Sequence, residues 1–282
     1  MEGSSQKPKG RAPGDLLLRV ASAMVMAPTA IAFAYLGGWW FLLFWLAAAC
    51  VVFWEWTHLV APPAKAVRPA LAGTCGLVFA GLAWGLGYPV VAAAALVAGY
   101  AVAVGPAFKG NRLWIAGGVL YAATLVFAPA VLRADLSYGL AAILLLFAVV
   151  WSTDIAAYFG GRLIGGPKLW PQVSPNKTWS GALSGAAVAI VAGVAVGWGA
   201  GAGNLFWVAT VALLLSIAAQ AGDLFESSVK RHFGAKDAGQ IIPGHGGLMD
   251  RLDGFVAAAL LAVLIGLARG GIESPSAALM IW

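Results

Sequence analysis

Acidic side chains are concentrated in two polar segments of an otherwise apolar chain. The first segment covers residues 151–181 and the second covers residues 220–254. Together they hold six of the eleven Asp and Glu residues: Asp154, Asp223, Glu226, Asp237, Asp250 and Asp253. A carboxylate at membrane depth or at the end of an apolar span is costly, so it marks a functional site by default.

The second segment combines carboxylates with basic groups. Asp223 and Glu226 are three residues apart, and so are Asp250 and Asp253, so each pair would share one face of a helix. Between the pairs lie basic side chains and a glycine-rich turn: Lys230, Arg231, Lys236 and the run Pro243-Gly244-His245-Gly246-Gly247. Hard oxygen ligands and basic groups, without a Cys/His cluster, indicate Mg2+ holding a phosphorylated substrate rather than zinc. The competing interpretation is a solvated loop with balancing ion pairs, but so charge-poor a chain does not need this many charges to keep one loop in water.

The first segment offers donors for an anion. Asp154 and Tyr158 are four residues apart, so a helix that continues the preceding span would place them on one face. A Gly/Pro-rich stretch follows, and it ends in the run Ser174-Pro175-Asn176-Lys177-Thr178 just before the next apolar stretch. Hydroxyl, amide and ammonium donors ahead of a helix N-terminus suit a phosphate group. An ordinary N-cap made by Ser or Thr is the alternative, and the sequence leaves both open.

Membrane spans must position these residues. The chain is 61% hydrophobic and 10% charged, whereas soluble domains carry about 25% charged residues. A span needs roughly 20 mostly apolar residues, and nine candidates emerge at about 17–36, 39–60, 70–87, 88–105, 113–132, 137–157, 179–199, 204–222 and 253–269. We therefore expect an all-α, polytopic membrane protein with about nine transmembrane helices. It divides into a cytoplasmic tail (1–16), N-terminal transmembrane helices (17–135) and a C-terminal transmembrane catalytic region (136–282).

The basic residues predict the orientation. With the N-terminus inside, 15 of the 17 Lys and Arg residues fall on one side, and only Arg133 and Arg269 fall on the other. The positive-inside rule then places the N-terminus and the long loops in the cytoplasm. No A-x-A-like cleavage site follows the first apolar run, so we expect a retained tail rather than a removed signal peptide.

Three residues outside the two segments carry weaker signals. Glu55 lies within the second span, where we expect a structural role and a pairing with His58 at i+3. The two cysteines, Cys50 and Cys75, lie in apolar stretches and form no CxxC pair. We expect both to be small buried side chains rather than a disulfide or a metal site.

The second segment resembles the signature of a known family. From Ser228 to Asp253 it runs S-x-K-R, four residues, K-D-x-G, and then PGHGGLMDRLD, a match without a gap over about 26 residues. This run resembles the phosphatidate cytidylyltransferases, or CDP-diacylglycerol synthases. The upstream run G-D-L-x-E-S from Gly222, the segment from Asp154 to Gly181 and the nine-span layout are similar to that family as well, whereas the first five spans resemble it only in hydropathy and in the Trp54-Glu55-Trp56 stretch. Ser180 departs from the acidic or amide residue expected after the Lys-Thr-Trp run.

The resemblance implies transfer of a cytidylyl group from CTP to phosphatidate, which gives CDP-diacylglycerol and pyrophosphate with Mg2+. Such a reaction depends on positioning and charge neutralisation more than on a protein nucleophile. We expect Asp223 and Asp250 as metal ligands, with Asp253 and Asp154 next. Phosphate neutralisation is assigned to Lys177, Lys230, Arg231, Lys236 and Arg251. His245 is assigned as a phosphate donor, with a turn-stabilising hydrogen bond as its alternative. Further substrate contacts are expected from Ser174, Asn176, Thr178, Gly246 and Gly247.

Two other functions compete with this interpretation. A CTP-dependent membrane lipid or polyprenol kinase would share nucleotide and Mg2+ but would transfer the γ-phosphoryl group. A transporter of a phosphorylated solute would place charge near the midplane, often in two related halves, whereas here the charge is one-sided. The expected partners are CTP and phosphatidate in the bilayer, with no nucleic acid, and a homodimer is left open. The expected location is a bacterial-type inner membrane, with the active site facing the cytoplasm.

Overall fold

The computed structural model describes residues 13–105, 109–239, 241 and 246–281, and it describes the side chains of the first helix from Met24 onward. The long helices are α1 (Pro13–Leu36), α2 (Gly38–Val60), α3 (Pro63–Gly85), α4 (Pro89–Val104), α5 (Arg112–Ala134), α6 (Gly139–Leu163), α7 (Trp179–Gly199), α8 (Leu205–His232) and α9 (Met249–Gly270). The short elements are a 3-10 turn (Lys109–Asn111), the strands β1 (Lys168–Trp170) and β2 (Ser174–Thr178), and α10 (Ala277–Met280).

Seven helices in the described part of the chain are long and apolar enough to cross a membrane, namely α2, α3 and α5 to α9. The 16 residues of α4 rise only about 24 Å, which is less than a hydrocarbon core of about 30 Å. In α1 the described apolar stretch is Met24–Leu36. The expectation of an all-α membrane protein is therefore confirmed, and the count of about nine spans is not exact, since seven helices of the described residues meet both criteria of length and composition.

Successive helices alternate in direction because short turns join them. A Gly-Tyr-Pro turn links α3 to α4, with Gly87 at a φ of +83°. At one end of the bundle, Asn111 Nδ2 donates to the Val60 carbonyl at 2.5 Å and joins the start of α5 to the end of α2. At the other end, Ser276 Oγ donates to the Leu132 carbonyl at 2.6 Å. At the first of these ends, Glu55 of α2 and Lys230 of α8 contact the start of α9, and Gly161 of α6 lies against Gly181 of α7. We call this the charged end.

Several helices extend beyond the predicted spans, and these extensions carry the polar residues. Helix α8 continues to His232 rather than ending near 222, α6 continues to Leu163 rather than 157, and α9 begins at Met249 rather than 253. The hydropathy window ends where charged residues begin, but the backbone keeps its helical hydrogen bonds beyond that point. At the N-terminus, α1 already begins at Pro13, inside the predicted tail, and residues 1–12 lie outside the described part of the chain.

Helix α7 packs closely on two neighbours through a row of glycines. Gly181, Gly185, Gly193 and Gly197 are all buried along one face of α7. A Cβ at Gly185 would lie 2.9 Å from the Thr153 carbonyl of α6, and a Cβ at Gly193 would lie 2.5 Å from the Cβ of Ala212 on α8. Small residues therefore let the backbone of α7 approach α6 and α8 closely.

The segment between α6 and α7 contains a small hairpin that we did not predict. The strands β1 and β2 pair antiparallel, with Lys168 opposite Thr178 and Trp170 opposite Ser174. The Gly/Pro content of this segment is typical of a loop, and three- and five-residue strands are too short to show an alternating pattern. The hairpin matters because β2 leads directly into α7.

The apolar core lies between α2, α6 and α9. The ring of Trp45 stacks on Phe255 with centroids 4.5 Å apart, and Phe147 lies beside both rings. The two cysteines are free thiols, as expected, but Cys75 is exposed on α3 rather than buried. Helix α5 of the N-terminal part packs against α9 of the C-terminal part. The boundary at residue 135 between N-terminal helices and a C-terminal catalytic region stays a prediction.

Candidate active site at the charged end

Two carboxylates on neighbouring helices lie at similar depth below the charged end. Asp154 is nine residues before the end of α6 at Leu163, and Asp223 is nine residues before the end of α8 at His232. At 1.5 Å per residue, each lies about 13 Å along its axis from the helix end. Asp154 is exposed although it belongs to a membrane-spanning helix. Because a carboxylate against lipid is strongly unfavourable, this side chain faces a polar cleft.

Lys177 supplies the positive charge that Asp223 contacts. Its Nζ forms an ion pair with Asp223 Oδ2, and Ser227 Oγ donates to Asp223 Oδ1 at 3.4 Å. Both side chains of the pair remain partly accessible, at 28% for Lys177 and 32% for Asp223. A partly exposed ion pair contributes little net stability. Lys177 and Asp223 can therefore separate, and each can bind a ligand instead, at a small cost in free energy.

Lys230 lies in a second and much more buried network. Its Nζ is 2.6 Å from Asp250 Oδ1, to which it donates a hydrogen bond, and 2.6 Å from Glu226 Oε2. The Glu226 contact has the distance of an ion pair but not the angles of a hydrogen bond, and its other oxygen has no hydrogen-bond partner among the described residues. Removing one member of such a buried pair leaves an uncompensated charge, which is strongly destabilising. Because Lys230 and Glu226 belong to α8 and Asp250 belongs to α9, this network holds the two helices together.

Asp250 organises the turn that precedes α9. Besides the bond from Lys230, its carboxylate accepts from the backbone N–H of Ala238, at 3.2 Å to Oδ1 and 3.1 Å to Oδ2, and from Gly247 at 2.8 Å. Gly246 adopts a φ of +84°, and a Cβ there would lie 2.9 Å from Asp250 Oδ2. The glycines therefore bring the backbone close to this carboxylate, as glycine at positive φ allows.

Glu55 of α2 caps the same helix from the N-terminal half of the chain. The carboxylate is 3% exposed and accepts from the backbone N–H of Leu248 at 3.0 Å and of Met249 at 2.8 Å. The N-cap residue Leu248 makes no side-chain cap, so Glu55 satisfies two donors that the helix start leaves open. The expected pairing with His58 is wrong, because His58 Nδ1 bonds the Trp54 carbonyl instead. A carboxylate inside an apolar span is costly, and this indicated a special role for Glu55. The sequence contained no information on its partners, which lie nearly two hundred residues away.

Among the ionisable groups that converge at this end, carboxylates outnumber basic groups. Asp253 on α9 lies within electrostatic range of Asp223, Glu226 and Asp154, and Asp154 lies within range of Arg251. The converging carboxylates are Asp154, Asp223, Glu226, Asp250 and Asp253, and the basic groups among them are Lys177, Lys230 and Arg251. Like charges held together in a partly buried site favour binding of a cation.

The remaining predicted residues take different positions. Thr178 is the N-cap of α7, where its Oγ1 accepts from the Gly181 N–H at 3.1 Å, so the ordinary-cap interpretation is confirmed for that residue. Arg231 donates from Nε to the Val173 carbonyl at 3.4 Å and connects the hairpin to α8. Asn176 and Lys236 are exposed, and Ser174 is half-buried on β2. His245 lies outside the described residues.

The donors present at this end suit Mg2+. Among the described residues, no three Asp, Glu, His or Cys side chains form a complete metal-binding group. Mg2+ is, however, usually held by one or two carboxylates together with substrate phosphates and water. Tyr121 of α5 adds a buried hydroxyl within electrostatic range of Asp253 and Asp223, and that hydroxyl has no hydrogen-bond partner in the described part of the chain. An orphaned buried polar atom calls for a further partner such as water or an ion, so the site fits a hydrated cation.

Comparison with known proteins decides the class of chemistry. A profile described as "Cytidylyltransferase family" matches residues 17–267. The chain belongs to the cytidylyltransferase family. The phosphatidate cytidylyltransferase of Brucella suis biovar 1 (strain 1330) is 45% identical over 264 residues, which are 93% of this chain and 97% of the Brucella protein. The phosphatidate cytidylyltransferase of Staphylococcus haemolyticus (strain JCSC1435) is 47% identical over 121 residues, which are 43% of this chain and 46% of the Staphylococcus protein.

Membership of the cytidylyltransferase family covers the whole charged end. The matched range includes Glu55 on α2, the hairpin with Lys177, and Asp250 and Asp253 on α9. The expected enzyme class, a nucleotidyltransferase, is confirmed, and so is the resemblance stated from the sequence. The transporter alternative has no support in these comparisons.

Proposed function

We propose that this cytidylyltransferase transfers the cytidylyl group of CTP to phosphatidate and produces CDP-diacylglycerol and pyrophosphate. The Lys177–Asp223 ion pair carries the proposal, because it places an accessible ammonium and an accessible carboxylate side by side within a membrane-spanning bundle. The similarity to phosphatidate cytidylyltransferases supports the same substrates.

The reaction replaces one phosphorus–oxygen bond by another. A phosphate oxygen of phosphatidate forms a bond to the α-phosphorus of CTP, the bond from that phosphorus to the bridging oxygen breaks, and pyrophosphate leaves with the bonding electrons. The attacking oxygen already lacks its proton at neutral pH, so no general base is required. The protein must align the two phosphates and reduce the repulsion between them.

The basic residues divide this work by position. Lys177 and Arg251 lie near Asp154, below the helix ends, and they would contact the phosphates at the reacting centre. Lys236 is exposed beyond the end of α8 and would contact the distal phosphates of CTP. Lys230 keeps its two carboxylate partners and holds α8 against α9.

Mg2+ would be held by Asp223 together with Asp253 or Asp154, and when bound it would neutralise phosphate charge in the transition state. Asp250 stays a predicted ligand, but its side chain is only 8% accessible and accepts from Lys230 and from two backbone N–H groups, whereas the side chain of Asp223 is 32% accessible. That arrangement favours Asp223 as the first ligand. The site residues would then have separate tasks, with Asp223 contacting the metal and Asp250 fixing the turn.

Phosphatidate keeps its acyl chains in the bilayer, so its headgroup must reach the site from the side. We infer a cleft among α6, α7, α8 and α9 that opens to the cytoplasm and laterally to lipid. Exposed Asp154 supports the polar part of such a cleft, and exposed apolar residues on both sides of it, Ile155 on α6 and Leu183 on α7, support contact with lipid. The cytoplasmic orientation follows from the distribution of basic residues.

A position-specific label tests the function. Purified protein in detergent is incubated with phosphatidate, Mg2+ and CTP labelled at either the α- or the γ-phosphorus. Cytidylyl transfer predicts lipid-bound label from α-labelled CTP and labelled pyrophosphate from γ-labelled CTP. Lipid-bound label from the γ-position would instead identify a CTP-dependent kinase and refute the proposal. Chemical crosslinking of the same sample tests the homodimer.

A further inference from the structure

A cavity lies at the end of the bundle opposite the charged end. It has a volume of about 340 Å³ and is bounded by α2, α3 and α5, with Trp39, Phe41, Trp84, Arg133 and Ala134 among its walls. Along α2, Gly38 at this cavity is 17 residues from Glu55, which is about 26 Å at 1.5 Å per residue. The cavity is therefore separate from the candidate active site.

Arg133 brings a charge into this cavity that no described carboxylate balances. Its Nε donates to the Ala34 carbonyl at 2.8 Å, and its Nη2 lies against Gly37, where a Cβ would come within 2.6 Å. The nearest acidic residue in sequence, Asp135, accepts from the backbone N–H groups of Ser137 and Tyr138, both at 2.9 Å, and of Ala277 at 3.1 Å. Among the described residues, no salt bridge includes Arg133.

The other arginine at this end shows what a satisfied guanidinium looks like. Arg269 donates from Nη1 to the Ala278 carbonyl at 2.5 Å and lies over the ring of Trp207 at 4.7 Å. It therefore serves packing within the chain. Arg133 instead lines a cavity, and the planar fork of a guanidinium matches the geometry of a phosphate.

The walls select the kind of phosphate. Trp39 is 42% exposed, its neighbour Trp40 is 62% exposed, and both lie in the first turn of a membrane-spanning helix, where tryptophan commonly meets the interface of the bilayer. Phe41 and Trp84 add apolar surface. A free phosphate ion gains nothing from such walls, whereas a lipid brings a phosphodiester for the arginine and hydrocarbon for the aromatic rings.

We propose that this cavity is a binding site for an anionic phospholipid. The phosphodiester contacts Arg133 and the acyl chains continue past Trp39 and Trp84 into the bilayer. The site is independent of the transferase reaction, because it lies at the other end of the bundle.

Lipid binding to the full-length protein in detergent tests the proposal. Native mass spectrometry compares phosphatidylglycerol, phosphatidylcholine and glycerol phosphate, and none of these is the proposed substrate. We expect phosphatidylglycerol to bind, and Arg133→Gln to weaken that binding by about tenfold or more through loss of a charged hydrogen bond. Ala134→Phe, which keeps the arginine but fills the cavity, should weaken it as well, and Arg269→Gln should leave it unchanged.

Four results distinguish the possibilities. Binding of phosphatidylglycerol that is unaffected by both Arg133→Gln and Ala134→Phe overturns the assignment of the site. If phosphatidylcholine binds as strongly as phosphatidylglycerol, the site does not select for negative charge. If glycerol phosphate binds as strongly, the acyl chains do not contribute to binding. Cytidylyl transfer measured in the same detergent should remain at the wild-type rate in Arg133→Gln, so a failure of the lipid site does not depend on the proposed reaction.

Discussion

Glu55→Gln isolates the role of one buried carboxylate in positioning α9. The substitution keeps the size of the side chain but replaces one acceptor oxygen by an NH2 group. Glu55 accepts from Leu248 at 3.0 Å and from Met249 at 2.8 Å. The carbonyl oxygen of glutamine can accept from one of these N–H groups. Its NH2 group then faces the other N–H, and two donors cannot form a hydrogen bond. Asp250 and Asp253 then lose part of the restraint on the helix start that carries them.

The magnitude follows from the bonds lost. A hydrogen bond to a charged group contributes about 1.5–3 kcal/mol, and the interaction of a carboxylate with a helix N-terminus contributes about 0.3–1 kcal/mol more. Loss of one such bond reduces the population of the docked helix start by about tenfold to a few hundredfold relative to the undocked form. We expect amide hydrogen exchange at residues 248–252 to become about tenfold faster or more, because exchange follows this equilibrium directly, and the rate of cytidylyl transfer to fall.

The matched control is Glu273→Gln, the same change at an exposed carboxylate near the other end of the bundle. It should alter neither the rate nor the exchange. If Glu55→Gln keeps both the wild-type rate and the wild-type exchange at the start of α9, the carboxylate does not position that helix. Loss of rate without faster exchange would place Glu55 in the chemistry instead and would equally refute the capping argument.

The remaining predictions concern the metal, the orientation and the helix packing. Asp223→Asn should remove nearly all activity at saturating Mg2+ while thermal stability stays near wild type; retention of more than a few per cent contradicts its role as a ligand. Asp250→Asn should also remove activity but lower the apparent Tm, because Lys230 loses one of its two carboxylate partners; an unchanged Tm contradicts the structural role of Asp250. Lys236→Cys should react with an impermeant thiol reagent only from the cytoplasmic face, in a protein whose other two cysteines are substituted, and labelling from the opposite face overturns the topology. Gly185→Val should destabilise the fold, since even a Cβ would meet the Thr153 carbonyl at 2.9 Å, whereas the same change at Gly203, which has open space around it, should be tolerated.

The membrane helices and their order could be predicted from sequence because lipid selects for composition. Apolar runs of about 20 residues stand out against charged connections, and the predicted spans all fall on observed helices. The span count was less certain, since α4 is apolar but only 16 residues long. Helix ends could not be placed from hydropathy, because α8 remains helical through Asp223, Glu226 and Lys230 although the polarity rises there.

The partners of the site residues were harder to predict than the residues themselves. The cost of a carboxylate in an apolar chain, together with the family resemblance, made Asp223 and Asp250 candidate site residues. Which of them binds a lysine, and which lysine, depends on how the hairpin and the helix ends meet, and no local pattern contains that information. Tyr121 gave no signal at all, because a tyrosine in an apolar span is ordinary until its hydroxyl is found without a partner near buried charge.

The two lysine–aspartate pairs have similar chemistry but opposite consequences. Lys230 is 11% accessible at its side chain and contacts two carboxylates, so opening that pair would expose uncompensated charge. Lys177 is 28% accessible, and among the described residues it forms an ion pair with Asp223 alone. A nucleotide bound with its cation brings both signs of charge at once. When the ion pair opens, Asp223 can contact the cation and the ammonium of Lys177 can contact a phosphate. Each charged group therefore keeps a partner of opposite charge. Lys177→Met should therefore weaken CTP binding more than it weakens the fold, and a loss of thermal stability as large as that of Lys230→Met would show that both pairs are structural.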